Sequence, residues 1–398
     1  MHVRLAELGH EEDRCSAADS ADQLAELARR DFLAERAASL ARRAVRWVSE
    51  DGRPCDVALD LRCRLTLART HVAQGRRDDA AAIRRTVLDR AQEELPDGHP
   101  LTLLAQQELA RTLSAGSRQQ RREGLDLRAS IVGRLSQERT IDDPAVVFAK
   151  QELGMSLSSV GDHEAALAVR EEVVALLDVD GTAAYDPDAA RALTNLAFTY
   201  SQLGRHDEAL AIRRRVVDLR RTHFGDNHPA LAGSLVNLAA TLRSPPPELP
   251  YRERRAWIDE AVQLAEQAVR IRTLVFGRDA NQTLKAWSSL SAALLASWEL
   301  SLEVGAGAQR EPELARANEL IEFVAEKRRT SLGPTHKRTL IAYERWAEIL
   351  AARGSVPDAL AVAAIALDGA RATLEPGHSL LRKIEQRYGT LVDDDRAR

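Results

Sequence analysis

One phrase recurs along this chain, and it constrains the fold more than any other feature. Its clearest copy opens with Asp186-Pro187, continues through Thr194-Asn195-Leu196-Ala197, Tyr200, Gly204, Ala209, Ile212 and Val216, and closes with Phe224-Gly225. The next copy opens at once with His228-Pro229 and runs through Asn237-Leu238-Ala239 to Leu242. The spacing is 42 to 44 residues, read from Leu67 to Leu109, Leu153, Leu196 and Leu238. Two helical stretches and a short turn at that period are the mark of a solenoid, whose units bury their apolar faces against their neighbours. Such a chain holds partners on an extended surface.

Aligned on the first helix of each unit, the large apolar residue falls at Leu67, Leu109, Leu153, Leu196, Leu238, Leu290 and Trp346. A small residue follows it at Ala68, Ala110, Gly154, Ala197, Ala239, Ser291 and Ala347. The second helix has its own small residue at Ala80, Gly124, Ala166, Ala209, Ala261, Ala317 and Ala359. Small residues are needed where two helices approach most closely. Gly75, Gly161, Gly204 and Gly354 sit between the two helices, where a positive φ ends the first one. Pro100, Pro144, Pro187 and Pro229 open the next first helix, where a missing N–H costs nothing. Residues 19–50 read as a degenerate earlier repeat, with Leu27-Ala28 on its first helix and Leu40 and Ala44 on its second, and 378–392 as a terminal capping helix. The expected organisation is an N-terminal segment 1–54, seven repeats over 55–376, and a capping helix with an acidic tail over 377–398.

Composition supports helices. Hydrophobic residues make up 44% of the 398, aromatics only 4%, and Ala, Leu, Arg and Glu, all good helix formers, predominate. A net charge of −4 gives no support to nucleic-acid binding. No apolar run reaches the roughly 18 residues of a membrane span, and the N-terminus has none that fits a signal peptide. Cys15, Cys55 and Cys63 lack metal-ligand spacing and read as reduced thiols, so a soluble cytoplasmic protein is expected. The regular spacing breaks at Ser244-Pro245-Pro246-Pro247-Glu248-Leu249-Pro250, read as a stiff extended insert, and at Gly305-Ala306-Gly307-Ala308, read as a flexible one. Both fall at the same edge of the array, as tolerated loops or as binding elements within 244–255 and 300–311.

The shared phrase of His-Pro or Asp-Pro, Asn-Leu-Ala, Tyr or Leu, Gly and Ala-Leu resembles the tetratricopeptide repeat family. It is most similar to the long-repeat variety of kinesin light chains and many actinobacterial proteins, over about residues 55–375. Only five of the 56 basic residues are Lys, an Arg bias that fits a GC-rich, actinobacterial-type genome. The resemblance implies an all-α, right-handed superhelical solenoid of antiparallel helix pairs, with first helices lining a concave groove. By the same resemblance, the residues facing that groove are Thr66, Glu108, Glu152, Asn195, Asn237, Ser289 and Arg345. In the family an Asn at this site hydrogen-bonds an extended peptide, so Asn195 and Asn237 are the foremost groove candidates, though bonding to neighbouring helices is equally open. Arg191, one turn before Asn195, completes the candidate set.

The second helices carry a less expected ladder: Arg84, Arg128, Arg170 and Arg213. Pairing of Arg84 with Glu108 and Arg128 with Glu152 would be structural, whereas a basic lining would suit an acidic peptide. Arg170 and Arg213 face Asn by this count, which leaves positive charge near the third and fourth repeats.

No chemistry emerges alongside. The chain lacks a Gly-x-x-x-x-Gly-Lys-Ser/Thr loop, a Gly-x-Ser-x-Gly elbow and a His-Glu-x-x-His helix. His99, His228, His336 and His378 share one inter-repeat turn and are too far apart to hold a common metal ion. Asp142-Asp143 reads as a helix-start cap and Asp393-Asp394-Asp395 as a frayed terminus. The expectation is therefore a non-catalytic scaffold for a peptide or partner domain, with no cofactor, metal, nucleic acid or membrane. Self-association stays open. The alternatives are a regulatory sensor whose curvature controls a separate effector and, less favoured, an enzyme with an unrecognised site.

Overall fold

The computed structural model describes residues 11–30, 33–49, 55–177 and 186–397, and none of them forms a strand. The chain divides into two compact units, Met1–Leu176 and Leu177–Arg398. The first carries α1 (Glu11–Arg30), α2 (Ala34–Ser49), α3 (Val57–Ala73), α4 (Arg77–Glu94), α5 (Pro100–Leu113), α6 (Arg118–Glu138) and α7 (Pro144–Val160), with α8 (His163–Leu177) ending at the boundary. The second carries α9 (Pro187–Gln202), α10 (His206–Phe224), α11 (Pro229–Leu242), α12 (Tyr251–Phe276) and α13 (Asn281–Leu302). It continues with α14 (Glu311–Leu332), α15 (Lys337–Ala352), α16 (Val356–Thr373) and α17 (Ser379–Ala397). Within each unit every helix packs on the next, and odd-numbered helices also touch across the repeat: α1 with α3 and α3 with α5, then α11 with α13, α13 with α15 and α15 with α17. Where these contacts run, the first helices of neighbouring repeats lie side by side.

The small residues make this packing possible. Ala80, Ala166, Ala209, Ala261, Ala317 and Ala359 are fully buried. At Gly124 an added Cβ would lie 3.1 Å from the Ala110 carbonyl oxygen, so this crossing leaves no room for a side chain. Ser291 is buried as well, and its hydroxyl donates to the Ala317 carbonyl at 2.8 Å across the α13–α14 contact. Leu109 and Leu290 fill the core of their units, and truncating either to Ala would cost about 2–5 kcal/mol.

The helix starts share one device. At His99, His228, His336 and His378 the imidazole Nδ1 accepts the backbone N–H two residues on, at 3.1–3.2 Å. Asp143 and Asp186 do the same through Oδ1 at 2.8 Å. His-Pro and Asp-Pro are thus interchangeable caps, each satisfying a donor that the helix leaves orphaned. Among the described residues no group of His, Cys, Asp or Glu is arranged to hold a metal ion. None of the described helices is long and apolar enough to cross a membrane.

Several expectations change. Cys15 and Cys55 are not reduced thiols but a disulfide spanning 40 residues, which ties α1 to the start of α3; Cys63 alone is free, and it is buried. In the degenerate repeat Leu27 is exposed, because α1 and α2 meet through alanines: Ala17, Ala18, Ala21 and Ala25 against Ala37, Ala38, Ala41 and Ala44. The Pro-rich insert is not extended. It folds back through a turn closed by Leu249 N–H to the Pro246 carbonyl at 3.2 Å. The Gly-rich insert forms a 3₁₀ turn, Gly307–Arg310, rather than a flexible loop. The two inserts brace each other, Arg254 pairing in bidentate fashion with Glu303 at 2.6 and 2.8 Å. Asp393, Asp394 and Asp395 continue α17, anchored by buried Leu391, and are not frayed.

Candidate partner-binding faces

In the first unit the Arg ladder turns inward. Arg84 on α4 donates to Glu108 on α5 at 2.8 Å and to the Thr112 hydroxyl one turn further along. Arg128 on α6 repeats the arrangement with Glu152 at 2.8 Å and with Ser156 on α7. Both expected pairs therefore form. Burial pushes the two guanidinium groups below their usual range, and the facing carboxylates pull them back up. Arg69 also donates to Glu108 at 2.6 Å, so this carboxylate is enclosed by the chain's own cations. Arg170 on α8 donates to the Gly154 carbonyl at 3.2 Å.

Glu152 is more open. On the same stripe of α7, at i−4 and i+3, lie Phe148 and Met155, two large apolar residues left exposed to solvent. Phe148 and Glu152, with Gln107 and Arg111 of α5, border a small cavity of about 20 Å³. An exposed aromatic beside a carboxylate can take an apolar side chain and a backbone donor together.

In the second unit the equivalent stripe of α9 is Arg191, Asn195 and Phe198. Arg191 is exposed and pairs with Asp188 at 3.0 Å, and Phe198 is 46% exposed, unusual for an aromatic in a packed helix. Asn195 and Asn237 are half-buried. Asn237 on α11 lends its backbone carbonyl to Arg213 at 3.0 Å, and Arg213 also reaches the Thr241 hydroxyl. The Asn237 carboxamide makes no hydrogen bond to any described residue. The sequence pairs Arg213 with an Asn side chain; the structure uses a carbonyl and a hydroxyl, neither of which carries charge. Burial accordingly holds the Arg213 guanidinium below its usual range.

Other groove positions behave differently. Thr66 is buried within α3. Arg345 on α15 joins a charged network absent from the sequence reading, approaching Glu348 at 3.4 Å. Arg387 of α17 pairs with Glu348 and with Glu344 at 3.3 Å, and Lys383 reaches Glu344 at 3.0 Å. Arg243 beside it is pushed down to about 10 by burial and by repulsion from Arg345. Glu344/Glu348 and Lys383/Arg387 each share an i,i+4 stripe, the one signal in the sequence that could have paired the last two odd helices.

Comparison with known proteins agrees with this architecture. A family model described as tetratricopeptide repeat matches residues 61–101 and 189–230. No curated protein matches the chain in sequence. Among solved structures, a kinesin light chain protein with nearly identical TPR-like repeats from Podosopora anserina is 23% identical, covering 60% of this chain and 99% of its own, with a TM-score of 0.46. BtubC (BKLC) from P. vanneervenii is 19% identical over 67% of this chain and 92% of its own, with a TM-score of 0.46. The apo form of RapI is 9% identical over 96% of this chain and 98% of its own, with a TM-score of 0.52, a likeness of fold. The in-phase phrase and paired helices thus make an all-α repeat fold, and two of its stretches, one in each unit, are similar to the tetratricopeptide repeat.

Proposed function

We propose that the chain is a non-catalytic scaffold that binds an extended peptide, or a segment of a partner domain, along the faces of its first helices. The repeats over 55–376 carry these faces, with an N-terminal and a C-terminal segment flanking them in the sequence. In the Leu177–Arg398 unit Asn195 and Asn237 hydrogen-bond the peptide backbone, Phe198 receives an apolar side chain and Arg191 meets a charged one; in the Met1–Leu176 unit Phe148, Met155 and Glu152 offer a face of the same chemistry. Arg170, Arg213 and Glu108 stand behind this face and hold adjoining helices in register.

The observation that carries this reading is the Asn237 carboxamide, which has no protein partner among the described residues and sits on the stripe implied by the repeat. A carboxamide both donates and accepts, matching one peptide unit. Exposed Phe148 and Phe198 add apolar area of the kind that concentrates binding energy. The test is to select peptides from a displayed library against the purified chain and measure their affinity by fluorescence anisotropy. Replacing both Asn195→Ala and Asn237→Ala should weaken binding about tenfold or more, as expected for two lost hydrogen bonds. Unchanged affinity would count against the groove.

A further inference from the structure

A second feature of the Leu177–Arg398 unit has no counterpart in the peptide reading. Arg272 of α12, Lys285 of α13, Arg328 of α14 and Arg338 of α15 line one cavity of about 760 Å³. The rest of its wall is Asn281, Gln282, Ser288 and Ile341, with no acidic residue. None of the four cations has an ion-pair partner among the described residues. The acids of the neighbouring turns are engaged elsewhere, Asp279 with Lys327 and Glu326 with Arg329, each at 2.7 Å.

The cavity is built rather than accidental. Arg272 and Arg328 are more than nine-tenths buried and form its floor. They occupy equivalent repeat positions, each donating Nη1 to the carbonyl ten residues on: Arg272 to Gln282 at 2.7 Å, Arg328 to Arg338 at 3.1 Å. These bonds fix the guanidinium planes, and the Nε of Arg328 has no hydrogen-bond partner among the described residues. Lys285 and Arg338 stand exposed at the rim with the amides of Asn281 and Gln282. The first turns of α13 and α15 add the positive ends of two long helices.

Four uncompensated cations in one concavity repel one another, and burial worsens it. Partial desolvation by the cavity wall and repulsion from Arg272 and Arg338 lower the rim Lys285 ammonium below its usual range, and burial with repulsion from Arg338 pushes Arg328 down to about 10. A bound anion removes that repulsion. A single carboxylate supplies too little charge for four cations, whereas a phosphoryl or pyrophosphoryl group supplies more and matches the planar donors of Arg. The volume lies within the range of roughly 300–1,000 Å³ typical of small-molecule sites.

We infer that the cavity formed by Arg272, Lys285, Arg328 and Arg338 binds a phosphate-bearing small molecule of about nucleotide size. Lys285 and Ile341 hold in α13 and α15 the register place of Arg191 in α9, so the cavity lies further along the same first-helix face and would add a phosphate-binding site to it.

Isothermal titration at 150 mM potassium chloride, with pyrophosphate, ADP and a capped penta-glutamate peptide as probes, tests the assignment. Lys285→Gln and Arg338→Gln alter only exposed rim groups, and Arg353→Gln, exposed elsewhere, is the control; circular dichroism checks that each variant keeps its helices. Pyrophosphate and ADP should bind saturably at one site. Each rim variant should weaken them about tenfold, the loss of one charge-assisted hydrogen bond, and Arg353→Gln should leave them unchanged. Absence of saturable binding, equal affinity in the rim variants, or penta-glutamate binding as tightly as pyrophosphate would overturn the proposal.

Discussion

Arg84 donates to Glu108 at 2.8 Å with both side chains nearly closed off from water, and this one pair binds the second helix of one repeat to the first helix of the next. A buried charge without its partner costs far more than the intact pair contributes. Glu108→Ala should therefore destabilise the first unit by about 3 kcal/mol or more, seen as a lower urea midpoint. The apolar double variant Arg84→Met/Glu108→Leu should recover most of that loss, because neither partner remains to be solvated.

The histidine caps make a sharper prediction. His99→Ala removes the Nδ1 acceptor for Leu101 N–H and should cost about 1 kcal/mol, whereas His99→Asp should be close to neutral. Asp143 and Asp186 already fill that role elsewhere in the chain. Thermal melts of the three proteins decide the matter, and equal losses in both variants would refute capping by the side chain.

The cysteines should react in two distinct ways, Cys63 as a buried thiol and Cys15 and Cys55 as a disulfide. Cys63 is buried and its thiol is pushed up to about 12 by desolvation and by the nearby carboxylates, Asp22 foremost. Because a raised thiol pKa means less thiolate, its reactive fraction at pH 8.5 stays below about one part in a thousand. A thiol reagent should find none in the native chain, one after denaturation, and all three after denaturation with reductant.

Reduction should also loosen the N-terminal hairpin. A bond closing 40 residues lowers the entropy of the unfolded chain, so breaking it should cost about 3–4 kcal/mol. A Cys15→Ser variant with the same urea midpoint as the parent would show that the disulfide adds nothing.

The repeat itself was legible in the residues, as were the helix starts and stops and the buried small residues, because each follows from local spacing. Arg84–Glu108 was legible because both residues recur in phase. The partner of Arg213 was not: a backbone carbonyl carries no residue letter, and only the recurring Thr or Ser one turn later hinted at it. Nothing in the spacing marks Cys15 and Cys55 as a pair, since they meet only when α1 folds back toward α3. The basic cavity was invisible for the same reason. Its four cations come from four helices, and no pattern along one of them reveals the others.

The central claim is that the first-helix faces bind a partner, and photo-crosslinking tests it most directly. A photoreactive phenylalanine analogue at Phe198 on α9 should capture a library-selected peptide, while the same analogue at Leu274, 76% exposed on second helix α12, should not. Capture at Leu274 with none at Phe198 would contradict the account.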